Sequence, residues 1–289
     1  MTAYRDDLVN EVLRNLSAPV EIVGTLLVEA TSSVTTLVVA ANSLEDLKPG
    51  VFEVGSELVY AQTVDAQAGL LSNVIRGYLG TTAATQAVGS VVRLNPATPR
   101  VNVIRALNDT LSGLHPRVYA VGTDQDVLTD YTVFELPTTC VDVLDVSLVT
   151  PDSPEIWRKS RRWKYVDRAP EVTSGKCLQV YDAWSGCEVK VTYATAPGTF
   201  SEVSGTNEAF TTATGLSEWC RELVTLGASW RLANFMETRP PMVVGDAVQP
   251  GESPTRWASQ LYAMFNEALD AAERRLRALN DVGVIHYER

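Results

Sequence analysis

The sequence predicts an α+β fold: a four-helix core with two inserted small β-barrel or sandwich modules. Three observations predict it. Apolar residues recur at helical spacing in four separated stretches. Between them lie two long segments where β-branched residues alternate with turn residues about every ten positions. No βαβ alternation and no GxG turn is present, which argues against a doubly wound sheet. The expected division is 1–17, 98–114 and 216–280 as the helical core, 18–97 as the first β-module, 115–203 as the second, and 281–289 as a C-terminal tail.

The elements follow in order. Leu8, Val9, Val12, Leu13 and Leu16 mark one helical face, with Thr2 a candidate N-cap and Pro19 beyond the end. The run 34–39 is apolar and β-branched, and Pro49-Gly50 and Gly55-Ser56 punctuate the alternation after it. Thr98 and Pro99 suit a helix start before Ile104, Leu107, Leu111 and Leu114. "YTVFELP", "CVDVLDVSLVT", "KCLQVYDA" and "CEVKVTYATAP" read as strands. A polar linker, 204–215, precedes a helix carrying Leu216, Trp219, Leu223, Leu226 and Trp230. Ser253 and Pro254 open the last helix, whose apolar face runs from Trp257 to Leu279 for about seven turns.

Composition narrows the function classes. The 289 residues carry 45% hydrophobic and 20% charged side chains, ordinary for a globular protein that buries a core without staples. No apolar run is long enough to span a bilayer, and the start lacks a secretory pattern. The net charge of −11 disfavours a protein that grips DNA phosphates, and an acidic wall would let DNA pass without holding it. Cys140, Cys177, Cys187 and Cys220 have no CxxC spacing, and His115 and His286 lack partners at helical spacing. Neither a metal nor a cofactor is expected.

The stretch "VIRGYLGTTAATQAVGSVVRLNP", 74–96, poses the sharpest question. Its glycines could cradle a phosphate or shape a corner. A P-loop needs GxxxxGK[ST], and the Lys is missing here; "SGKC" at 174–177 lacks the upstream Gly. Gly77, Gly80 and Gly89 are therefore read as turn residues that allow positive φ. Other chemistry is as thin. Asp124, Asp126, Asp130 and Glu135 fall at calcium-loop positions, but Leu128 and Thr129 replace the expected oxygen ligand and the turn glycine. Asp142 and Asp145 could serve as a hydrolytic carboxylate pair. GxSxG is absent. No catalytic residue is assigned.

The stretch resembles a module of structural proteins in tailed bacteriophages, V-x-R-G-x-x-G-T-T-A-A-x-H-A-x-G-x-x-V. Val74, Arg76, Gly77, Gly80, Thr81, Thr82, Ala83, Ala84, Ala87, Gly89 and Val92 match, and Gln86 stands in the His position. "FELPTTCVDVLDV", "GCEVKVTYATAP" and "LVTLGASWRLANF" are similar to strands and a helix of phage neck proteins. The resemblance implies a head–tail adaptor (connector): a structural virion protein, not an enzyme, in a ring of about twelve copies. Its implied partners are itself, the portal protein, a tail-side neck or stopper protein, and DNA passing through the lumen without specific binding. Its implied location is the virion neck, after synthesis in the bacterial cytoplasm, with no membrane contact. Many such adaptors are shorter and mainly helical.

Two segments are candidate partner contacts. The run "WRKSRRWKYVDR" places Arg158, Lys159, Arg161, Arg162 and Lys164 among aromatics, as a contact with an acidic neighbour, as a solvated hairpin or as a grip on nucleic acid. The ending "DVGVIHYER" alternates and reads either as a segment that docks on a partner or as a frayed terminus; the resemblance implies a portal contact through Val284, Ile285 and Tyr287. Two other classes stay open: a tail or capsid-decorating protein that binds a partner or a host glycan, and a carbohydrate-active hydrolase using the Asp pair.

Overall fold

The computed structural model describes residues 2–16, 22–41, 48–128, 133–150, 153–170, 172–184, 186–202, 207–237 and 254–280. Helix α1 (Arg5–Asn15) opens the chain. Its N-cap is Tyr4 rather than Thr2, and the Asp7 carboxylate accepts the Tyr4 N–H at 2.9 Å.

Six strands then close on themselves. They are β1 (Ile22–Leu26), β2 (Thr36–Ala41), β3 (Gly50–Val54), β4 (Glu57–Asp65), β5 (Leu70–Ile75) and β6 (Val91–Leu94), ordered β1-β2-β5-β4-β3-β6. Every pairing is antiparallel, and β1 closes the barrel on β6 through Ile22↔Leu94 to Thr25↔Val91. Closure leaves no open edge. Leu26, Leu37, Val39, Phe52, Leu71 and Val92 fill the interior. Helix α2 (Arg100–Leu114) follows, capped by Pro99 rather than Thr98. The buried carboxylate of Glu53 on β3 accepts the Arg100 N–H at 3.0 Å, which ties the barrel to the positive end of this helix.

Seven more strands form a sandwich: β7 (Ala120–Val127), β8 (Val133–Glu135), β9 (Cys140–Thr150), β10 (Ser153–Lys159), β11 (Trp163–Asp167), β12 (Lys176–Val180) and β13 (Glu188–Thr195). One sheet is ordered β10-β9-β13-β7 and the other β11-β12-β8. Val146, Leu148, Val189 and Val191 from the first meet Phe134, Leu178 and Val180 from the second in one apolar cluster.

The remaining helices are α3 (Phe210–Thr214), α4 (Arg221–Glu237) and α5 (Pro254–Asn280). Helix α4 lies against α1, α2 and α5. Gly227 permits that approach, because a Cβ there would stand 2.4 Å from Thr110 Cγ2 and 2.8 Å from Phe265 Cε2.

The expected four-helix core is corrected by this architecture. Among the described residues strands outnumber helices, with a closed six-stranded barrel and only four helices of seven or more residues. Those helices do not make a core of their own. Val118, Ala120, Phe200, Phe210 and Leu216, outside the four, complete their apolar cluster. Helical periodicity shows that a face is apolar, not what covers it. The polar linker reading of 204–215 also changes. It contains α3, whose Phe210 is fully buried and whose N–H bonds to the Ala3 carbonyl at 2.8 Å. The proposed Ser253 cap lies outside the described residues.

Candidate functional site

The glycine stretch forms the corner that follows β5. Gly77, Gly80 and Gly89 have φ of 63°, 75° and 84°, the left-handed region open to glycine. At Gly77 a Cβ would lie 2.8 Å from the Thr81 carbonyl oxygen. The donors a phosphate would need are already engaged. Glu57 Oε1 accepts from Arg76 Nε at 2.7 Å and from the Gly77 N–H at 2.9 Å. Glu57 Oε2 accepts from Arg76 Nη2 at 2.6 Å and from the Ala84 N–H at 3.2 Å. Arg76 also donates to the Thr31 and Ala84 carbonyls. The Glu57 side chain is 0% exposed and that of Arg76 7%, so this is a buried, fully engaged pair. Thr81 Oγ1 accepts the Leu58 N–H at 3.0 Å and donates to the Tyr78 carbonyl at 2.9 Å. Gln86 contributes its backbone, in a two-way bridge to Ala30.

The corner is also fastened from outside. Arg105 on α2 donates to the Leu79 and Gly80 carbonyls at 3.2 and 3.3 Å, and its Nε reaches Glu202 at 3.2 Å. Sequence reasoning missed Glu57 and Glu53. The signal was available: Glu53 is the lone carboxylate of apolar β3 and Glu57 opens the apolar run of β4, and a carboxylate buried there demands a partner.

The basic run is not a hairpin. Its two strands lie in different sheets, β10 at the edge of one and β11 at the edge of the other. β10 pairs with β9, and β11 pairs with β12 from Trp163↔Val180 to Asp167↔Lys176. Residues 160–162 make the turn between the sheets. Arg158, Lys159, Arg161, Arg162 and Lys164 are all exposed, while Trp163 and Tyr165 lean on the sandwich core. Arg158 donates to the Asp182 carbonyl at 3.0 Å and sits 5.5 Å from the Trp184 ring centroid. Lys159 lies 3.1 Å from Asp145. The side chains of Arg161, Arg162 and Lys164 have no ion pair or hydrogen-bond partner among the described residues. Val284, Ile285 and Tyr287 lie outside the described residues.

The acidic candidates occupy structural places. Asp124 and Asp126 sit on β7, and each carboxylate accepts the next residue's N–H, at 2.9 and 2.7 Å. Asp130 lies outside the described residues. Asp142 accepts the Val143 N–H at 2.8 Å, and Asp145 accepts from Ser147 Oγ at 3.0 Å beside Lys159. No cluster of metal-ligating side chains occurs among the described residues. The four cysteines are free and buried. Burial pushes the Cys140 thiol up to about 11 and the Cys220 thiol up to about 12. A cavity of about 490 Å³ lies between α2 and α4, lined by Asn102, Arg105, Asp109, Trp230 and Arg231. No described helix is long and apolar enough to cross a membrane.

No family model and no curated protein matches this chain.

Proposed function

We propose that the chain is a non-enzymatic head–tail adaptor of a tailed bacteriophage. Copies form a ring, about twelve by resemblance to such proteins, between the portal and a tail-side neck protein. The ring lines part of the DNA channel, and DNA passes without specific binding because the chain carries 35 acidic against 24 basic side chains.

One observation carries the reading. In the run that resembles the phage module, the Arg76 guanidinium and the N–H groups of Gly77 and Ala84 are spent on a buried carboxylate inside the chain. The motif therefore serves a corner of the barrel, as a scaffold requires, and these donors are spent within the chain rather than offered to a phosphate. The test is cryo-electron microscopy of purified virions with no symmetry imposed. A ring of this chain beneath the portal is the expected result. Density on the capsid surface or at the tail tip, or absence from virions, would overturn the reading.

A further inference from the structure

We propose that copies of this chain join head to tail through the two edges of the four-stranded sheet that no described strand covers, β7 of one copy against β10 of the next. The proposal rests on the ring reading above and names its interface.

The first support is direction. The sheet β10-β9-β13-β7 is antiparallel throughout, so its two edge strands run in opposite senses. A copy related by a rotation about a ring axis then offers β10 antiparallel to β7, continuing the pattern of the sheet. Such a contact is heterologous and can close a ring.

The second support is hydrogen-bond parity. The Leu128 N–H bonds inward to Cys187, so alternation turns the N–H groups of Gln125 and Val127 outward. The Ser160 N–H bonds inward to Val146, so Trp157 and Lys159 turn theirs outward. Pairing outward groups with outward groups fixes a short set of registers. In one, Val127 meets Trp157, Asp126 meets Arg158 and Gln125 meets Lys159. In the next, shifted by two, Asp124 meets Arg158 and Thr123 meets Lys159.

The third support is charge. Both registers put Arg158 opposite an aspartate, in a non-hydrogen-bonded pair where side chains stand closest. The same row runs through one copy as Arg158↔Leu148↔Val189↔Asp126, so the ring extends it with alternating charge. In the free chain the Asp124 and Asp126 carboxylates cover the outward N–H groups of Gln125 and Val127. This blunts the edge against indiscriminate pairing, and a neighbour's Arg158 supplies the carboxylates with a replacement donor.

The test uses the full chain in sedimentation velocity at low salt, with two reversals: D124K/D126K and R158E. Wild-type protein is expected to form oligomers, and each reversal to weaken association by at least about tenfold. Mixing the two reversed proteins restores it, because Lys then faces Glu and Asp faces Arg. A mixture of R158C with D126C, or with D124C, gives disulfide-linked pairs of unlike chains, since the native cysteines are buried. Wild-type oligomers unaffected by either reversal would overturn this interface and leave the ring reading standing. A wild-type chain that stays monomeric throughout would overturn both.

Discussion

Replacing Arg76 by Met tests what the buried pair at the barrel corner does. Glu57 receives four hydrogen bonds, two from Arg76 and one each from the N–H groups of Gly77 and Ala84. Arg76→Met strips the two charged donors from a carboxylate that is 0% exposed, and leaves the Thr31 and Ala84 carbonyls short of a partner. An uncompensated buried charge of this kind costs about 3–5 kcal/mol. An isolated ion pair is often replaced by apolar residues at little cost. Here the double replacement E57L/R76M is expected not to recover stability. It removes the charge but orphans two backbone N–H groups, at about 1–3 kcal/mol each. Fluorescence will not report this, because all six tryptophans lie at or beyond Trp157, outside the barrel. Hydrogen exchange followed by mass spectrometry on peptides spanning β3 to β6 does. Exchange there should rise by roughly a hundredfold or more in both variants. If the double variant returns to within about fivefold of wild type, the pair is not what satisfies the corner's backbone, and the reasoning fails.

Two further outcomes follow from local geometry. Gly77→Ala should destabilise the barrel by at least about 1 kcal/mol more than Gly89→Ala in denaturant unfolding followed by circular dichroism. Both positions have positive φ, but only at Gly77 does the new Cβ strike a backbone oxygen, at 2.8 Å; Gly89 has open space. Equal losses would show that the corner yields at Gly77. The buried thiols set a pH response. Cys140 and Cys220 ionise near 11 and 12 rather than 9, so the folded chain holds these protons more tightly than the unfolded one. Their contribution to stability is complete below pH 9 and is lost as pH rises through 9 to 12. Maleimide labelling at pH 8 should accordingly be slow until denaturant is added, and labelling at the rate of a free thiol would contradict the burial.

Much of the fold was legible where the signal is local. The 27-residue helix α5 follows from apolar spacing, and the first β-module from alternation broken by Pro49-Gly50 and Gly55-Ser56. Closure of the barrel was not legible, because it depends on Ile22 meeting Leu94 across the whole module. The misread core has the same origin: Phe210, in a polar stretch, carries no periodic signal, yet it is buried with the helices. In the basic run, Ser160-Arg161-Arg162 looks like a hairpin turn. The partner that draws β11 away is Val180, remote from the run in sequence, so the sheet change could not be read from the run itself.

Strand number explains why the charges belong at those edges. A sheet of three antiparallel strands has edges that run the same way, and rotated copies would meet in parallel. Four strands give opposed edges, so one contact repeats around a ring without changing type. The net charge of −11 opposes the approach of copies as whole bodies, while Arg158 and the two aspartates attract only within about a Debye length. Two consequences follow for the ring proposed here. Association of the free chain is weak, because the aspartates first have to release the N–H groups they cover. A template that holds the copies side by side removes the long-range repulsion from the balance, so the same contact is stronger on that surface than between free chains.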